Sequence, residues 1–102
     1  MREAAFKNTV IELAKWRGWL VHHDLPAMRR NGSWATNVQG DSGFPDLVLV
    51  KAGILIFAEL KRETGTTTKA QDTWLANLPD TFPVYKYVWR PSDMADIKRI
   101  LG

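Results

Sequence analysis

The sequence predicts a single α/β domain spanning residues 1–102, with its elements in the order αβββαβα. Three observations predict it. An amphipathic helical stripe opens the chain, two nearly all-apolar segments of strand length stand in its middle, and a helix, a strand and a second helix follow them. A chain of 102 residues suits one hydrophobic core and leaves no room for a separate regulatory module.

From Glu3 to Arg17 the apolar residues Phe6, Val10 and Leu13 recur at i, i+4 and i+7, as on one face of a helix. Gly18 closes that helix, and Trp19 to Val21 forms a short strand trailed by His22 and His23. Asp24 to Pro45 scatters Pro, Gly, Asn, Ser and Asp without periodicity, and so long a loop in a compact domain is functional or mobile. Asp46 to Lys51 and Ile54 to Lys61 read as two strands turning at Ala52-Gly53. Their apolar character implies a sheet covered on both faces. Thr66 to Thr68 offer N-caps for a helix running to about Leu78, with Pro79 just beyond its end. Val84 to Trp89 is a further strand, and Ser92 is placed to cap a last helix carrying Met94, Ile97 and Leu101.

Composition removes several classes of function. Apolar residues at 45% and charged residues at 25% are those of a globular domain, not of a disordered one. The absence of cysteine excludes disulfides and thiolate metal sites, so any ion must be held by carboxylate, imidazole, carbonyl or water, and it fits a reducing, cytoplasmic setting. The N-terminus lacks a signal-like apolar block, and the run from Ile54 to Ala58 is far too short to cross a bilayer. Fourteen Lys and Arg against eleven Asp and Glu give a charge of +3, which permits a nucleic-acid partner without pointing to one.

Chemistry concentrates in the two apolar strands. A turn centred on Ala52-Gly53 sets Lys51 opposite Ile54 and Asp46 opposite Glu59, so two acids share one face of the sheet about 4.5–5.5 Å apart at Cβ. Like charges so placed repel, and a divalent cation, or a raised pKa on one carboxyl, offsets the repulsion. Lys61 lies two residues beyond Glu59 and points to the same side, while Leu60 turns to the other. Hard oxygen ligands of this kind suit Mg²⁺ or Mn²⁺, and an ammonium beside the ion can orient a water for attack on a phosphodiester. The plain alternative is a salt bridge of Lys61 with Glu59 or Asp46 on a solvent-facing edge.

GFPDLVLV followed by FAELK, then KAQDTWL and VYKYVWRPSD, resembles the VRR-NUC (virus-type replication-repair nuclease) branch of the PD-(D/E)XK nucleases over nearly the whole chain. The resemblance implies a restriction-endonuclease-like core, a mixed sheet flanked by helices, and metal-dependent phosphodiester hydrolysis leaving 5′-phosphate and 3′-hydroxyl ends. It makes Asp46 and Glu59 metal ligands together with the backbone carbonyl of Leu60, and Lys61 the catalytic lysine. Gly43 and Pro45 match the family's turn into the first acid. Stand-alone members are similar to Holliday-junction resolvases, phage-encoded ones among them, which implies a homodimer acting on branched or otherwise structured DNA in replication or repair.

Two further residues join the set. At 100° per residue Glu3 falls near the apolar face of the first helix and Glu12 falls away from it, so Glu3 reaches the sheet and matches the family's acidic residue there. The alternative for Glu3 is simple stabilisation of a helix N-terminus. Gln71 shares the inward stripe of its helix with Leu75 and Leu78 and matches a family glutamine that supports the site. His22 and His23 are neighbours on a strand, point to opposite faces and cannot chelate one ion together. Arg29 and Arg30 in the long loop, with Arg62 and Lys69 flanking the acids, are candidates to hold DNA phosphates, and Trp34 is a candidate either for stacking on a base or for packing on the domain. A binding module that keeps this fold without turnover is the alternative function.

Overall fold

The structure is a computed structural model that describes residues 2–24, 27–28, 30–32, 34–35 and 39–102, with only the backbone of residues 27, 28, 34 and 35. Its elements are α1 (Glu3–Trp16), β1 (Leu20–His23), β2 (Ala27–Met28), β3 (Trp34–Ala35), β4 (Leu47–Lys51), β5 (Ile54–Leu60), α2 (Lys69–Asn77), β6 (Val84–Trp89), a 3₁₀ turn (Pro91–Asp93) and α3 (Met94–Leu101). This is a mixed α/β fold around a four-stranded sheet ordered β1-β4-β5-β6.

The β4–β5 hairpin has the pairing its turn predicts, from Lys51 opposite Ile54 to Leu47 opposite Ala58. Ala52 and Gly53 both adopt positive φ, 50° and 80°, the conformation whose twist suits a two-residue hairpin. The β1–β4 pair is antiparallel and the β5–β6 pair parallel, so β6 is reached by a crossover through α2. Alternation along the strands then divides the sheet into two faces.

One face is dry. Leu47, Leu49, Ile56, Ala58 and Leu60 pack there against Phe6, Val10 and Ala14 of α1 and against Ile97 and Leu101 of α3. The buried stripe of α1 is Phe6, Val10, Ile11 and Ala14; Leu13 is only half-buried, so the helix is rotated from the face expected. Trp19 closes the core by donating from Nε1 to the Leu101 carbonyl at 3.0 Å.

The reverse face carries Val48, Val50, Phe57, Glu59 and Lys86, and only part of it is covered. Phe57 meets Phe44 edge-on at 5.9 Å, and Phe44 meets Trp74 of α2 at 5.0 Å. Lys86 donates from Nζ to the carbonyls of Leu75 and Leu78, the latter at 3.0 Å, and so satisfies the C-terminal end of α2. Towards β1 the cover stops: Leu20 is 75% exposed and Val50 36%. A sheet buried on both sides, as the apolar strands imply, is therefore realised only at the end of β5, and β6 is half-buried except at Trp89.

Two local expectations are corrected. The 24–45 segment contains a two-stranded ladder, β2 with β3, across a turn at Arg30-Asn31-Gly32. Gly32 has φ +85°, and Asn-Gly is the commonest signal for such a reversal. Ser92 does not cap the last helix, because the 3₁₀ turn intervenes and the Asp93 carboxylate accepts from the Arg90 N–H at 2.8 Å. The N–H of Ser92 goes instead to the Glu63 carboxylate.

Candidate active site

Glu59 is the one charged residue buried among the described residues, 1% exposed in the middle of an otherwise apolar strand. Its position follows from the pleat: with Ile56, Ala58 and Leu60 committed to the dry face, Glu59 has to point to the reverse one. There its Oε1 accepts from Gln71 Nε2 at 3.0 Å, and its Oε2 has no donor among the described groups. Burial, then hydrogen bonding with the Asp46 carboxyl, then the Asp46 charge push its pKa up to about 9, and the Lys61 ammonium opposes them. That hydrogen bond requires a proton on one of the two acids. When both are ionised, Oε2 is an orphan.

Asp46 sits just outside β4 at the position that continues the pairing to Glu59. Its Oδ2 accepts from the Leu60 N–H at 2.9 Å, which anchors the acid across the end of β5. A strand residue's N–H and C=O lie along the same edge, so the Leu60 carbonyl also lies on the Asp46 side, while the Lys61 N–H turns the other way to the Trp89 carbonyl at 3.0 Å.

Glycine makes this approach possible. A Cβ on Gly43 would come within 2.4 Å of the Ala70 carbonyl carbon and 2.7 Å of the Gln71 nitrogen, and its φ is +94°. The backbone at Gly43 thus lies directly on the first turn of α2, and Pro45, buried, continues it to Asp46.

Gln71 serves the helix and the site together. Its backbone N–H donates to Thr68 Oγ1 at 3.2 Å, its side-chain oxygen accepts from the Thr68 N–H at 2.9 Å, and its amide nitrogen is left for Glu59. This reciprocal cap was legible as Thr-x-x-Gln at 68–71. The expected N-cap is therefore found at Thr68, and it also fixes which way the glutamine amide faces.

The remaining candidates divide. Lys61 is half-buried beside Glu59, and no hydrogen-bond partner for its amine is found among the described residues. Glu3 is exposed, yet it lies in line with the buried stripe of α1, and its charge is the smallest of the effects raising Glu59. Glu12, on the opposite side, faces water. Arg62 and Lys69 are exposed on either side of the turn that joins β5 to α2. Arg30 is exposed in the β2–β3 turn, while Arg29 and the side chain of Trp34 lie outside the described residues. His22 and His23 face opposite sides of β1 as the strand demands; His22 lies 3.8 Å from the Asp24 carboxylate at the surface.

A cation fits this donor set by its chemistry. Among the described residues no three Asp, Glu or His side chains form a ready metal cluster. Two carboxyls, one of them with an unsatisfied Oε2, and a backbone carbonyl are nonetheless hard oxygen donors, and an ion such as Mg²⁺ that keeps several waters needs few more. No protein-family model and no curated protein matches this chain.

Proposed function

We propose that the protein is a Mg²⁺- or Mn²⁺-dependent DNA endonuclease of the VRR-NUC type, acting on branched or otherwise structured DNA. The observation that carries the proposal is the buried Glu59, one oxygen of which lacks a donor once both acids are ionised, set against Asp46 and followed by an uncommitted Lys61 amine. A purely structural carboxyl in a β-strand has no reason to face a second acid at such an energetic cost. The helix and strand order, with β2–β3 set aside as an insertion in the loop, supports the restriction-endonuclease-like αβββαβα core.

Asp46, Glu59 and the Leu60 carbonyl would hold the ion, and Glu3, whose charge already acts on Glu59, would complete its surroundings. When bound, the cation neutralises charge on the scissile phosphate and acidifies a water. Gln71 fixes Glu59 through Oε1 and so orients the carboxylate with Oε2 unclaimed. Lys61 donates from its ammonium to the attacking water and to the charge developing on phosphate. Arg30, Arg62 and Lys69, with Arg29, supply phosphate contacts that fix the strand without reading its sequence. Each protomer carries one such site, and a homodimer would present two to the arms of a branched substrate.

The test is a panel of labelled junction, flap, nicked and plain duplex DNAs with Mg²⁺ and with Mn²⁺. Wild type is expected to cut the structured members, and Asp46→Ala and Lys61→Ala to abolish cutting while keeping a cooperative thermal transition. Cleavage that survives either change in Mg²⁺ refutes the assignment. The lack of a three-residue metal cluster among the described residues favours one second reading, a structured-DNA binder without turnover. Such a protein would show neither cleavage nor metal-dependent tightening when Mg²⁺ is titrated into the bound complex.

A further inference from the structure

Beside the acids, between the 41–44 segment and α2, lies a cavity of about 380 Å³ lined by Asp41, Ser42, Ala70, Thr73, Trp74 and Asn77. The proposed chemistry makes no use of it. Its wall is continuous with the site, because Gly43 rests on Ala70 and Gln71, and Gln71 in turn touches Glu59.

The lining has a definite chemical bias. Trp74 is half-buried, its N–H already spent on the carbonyls of Ser42 at 3.0 Å and Asp41 at 3.3 Å, and its ring braced edge-on by Phe44. It is a fixed aromatic wall with no donor to offer. The Thr73 hydroxyl gives its proton to the Lys69 carbonyl, and Asn77 gives an amide proton to the Thr73 carbonyl at 2.8 Å. What Thr73 and Asp41 have left is oxygen lone pairs, while Asn77 keeps its amide oxygen and one N–H, and the Ser42 hydroxyl can turn either way. Acceptors around a rigid indole repel phosphate and reward a flat ligand that brings donors.

We infer that this cavity takes one unpaired nucleobase of the DNA substrate, stacked on Trp74, and selects bases carrying an exocyclic amino group, such as cytosine and adenine, over thymine, which has none. A protein carboxylate accepting from the amino group of cytosine and an aromatic side chain stacking on a base are both established modes of readout. The volume lies within the range of small-molecule sites. The inference rests on the DNA reading above and sharpens it, since a site that holds an extrahelical base favours substrates that have one.

The test measures binding of end-labelled oligo-dC, oligo-dA and oligo-dT by fluorescence anisotropy, in Ca²⁺ to hold off cleavage, for wild type, Asp41→Ala and Asn77→Leu. Removing an acid tightens any DNA, so the readout is the ratio between oligonucleotides. Wild type is expected to bind oligo-dC and oligo-dA about 10-fold tighter than oligo-dT, the discrimination of one good polar contact. Either variant, both at exposed positions, is expected to bring the ratio within twofold. Equal binding of all three by wild type, or a preference untouched in both variants, overturns the base pocket while leaving the nuclease standing. No binding of any oligonucleotide or of branched DNA overturns the DNA reading itself. A guanidinium would also suit these acceptors. An arginine peptide that shifts the Trp74 indole N–H resonance in wild type and not in Asp41→Ala, without discrimination among the oligonucleotides, would overturn the base pocket in favour of a protein partner.

Discussion

Replacing Glu59 by glutamine separates the cost of burying this acid from its use. In the fold its pKa is pushed from 4.5 to about 9, first by burial and then by Asp46. Between those values the folded chain keeps a proton that the unfolded chain has lost, so stability falls as pH rises, by about 1.4 kcal/mol per unit. The stabilising proton is fully present below the unfolded value and is lost as pH passes the folded one. At pH 7.5 the gap of about three units amounts to roughly 4 kcal/mol, a large part of the 5–15 kcal/mol available to a domain of this size. Glutamine keeps the shape and has no proton to lose. Urea unfolding followed by tryptophan fluorescence in EDTA, from pH 5 to pH 9, should show Glu59→Gln gaining on wild type steadily across the range. Adding Mg²⁺ at pH 8 should restore wild type, by about 2.7 kcal/mol at a hundredfold excess over Kd, and leave the glutamine variant unmoved. Parallel pH profiles for the two proteins would refute the burial argument, and equal response to Mg²⁺ would refute the ligand assignment.

Three other changes probe how the site is held. Gly43→Ala forces a Cβ against the Ala70 carbonyl at a positive φ and should cost more than about 3 kcal/mol, with cleavage lost alongside, read by thermal melting and the DNA panel. Lys86→Met removes the ammonium from the C-terminal carbonyls of α2 and should cost about 1–2 kcal/mol in urea unfolding, since water can replace part of it. Ala52→Asn places a residue tolerant of left-handed backbone at φ 50° and should raise stability by about 0.5–1 kcal/mol; a loss would contradict the turn assignment.

What the chain determined locally is the β4–β5 pairing and the cap of α2, while the cap expected from Ser92 did not form. The β4–β5 register follows from a two-residue turn and side-chain alternation, and it alone aims Asp46 and Glu59 at each other. The cap at Thr68 follows from a hydroxyl three residues before a glutamine. These features depend on neighbours in sequence, which is why they were legible. Asn31-Gly32 carried the same kind of signal for the β2–β3 reversal and was masked by the polar residues around it.

Tertiary structure decided the rest, because it depends on which surfaces meet. The rotation of α1 towards Ile11 and Ala14 is set by packing on β1, α3 and β5, and it leaves Glu3 exposed, acting on Glu59 only through its charge. Alternation put Glu59 on the reverse face, but only the cover provided by α2, Phe44 and the Gly43 contact makes that face dry enough to raise its pKa. The acceptor-lined cavity arises from residues more than twenty-five positions apart, drawn together by the Trp74 N–H. Sequence named the acids; folding supplied the burial that holds a proton on Glu59 beside Asp46.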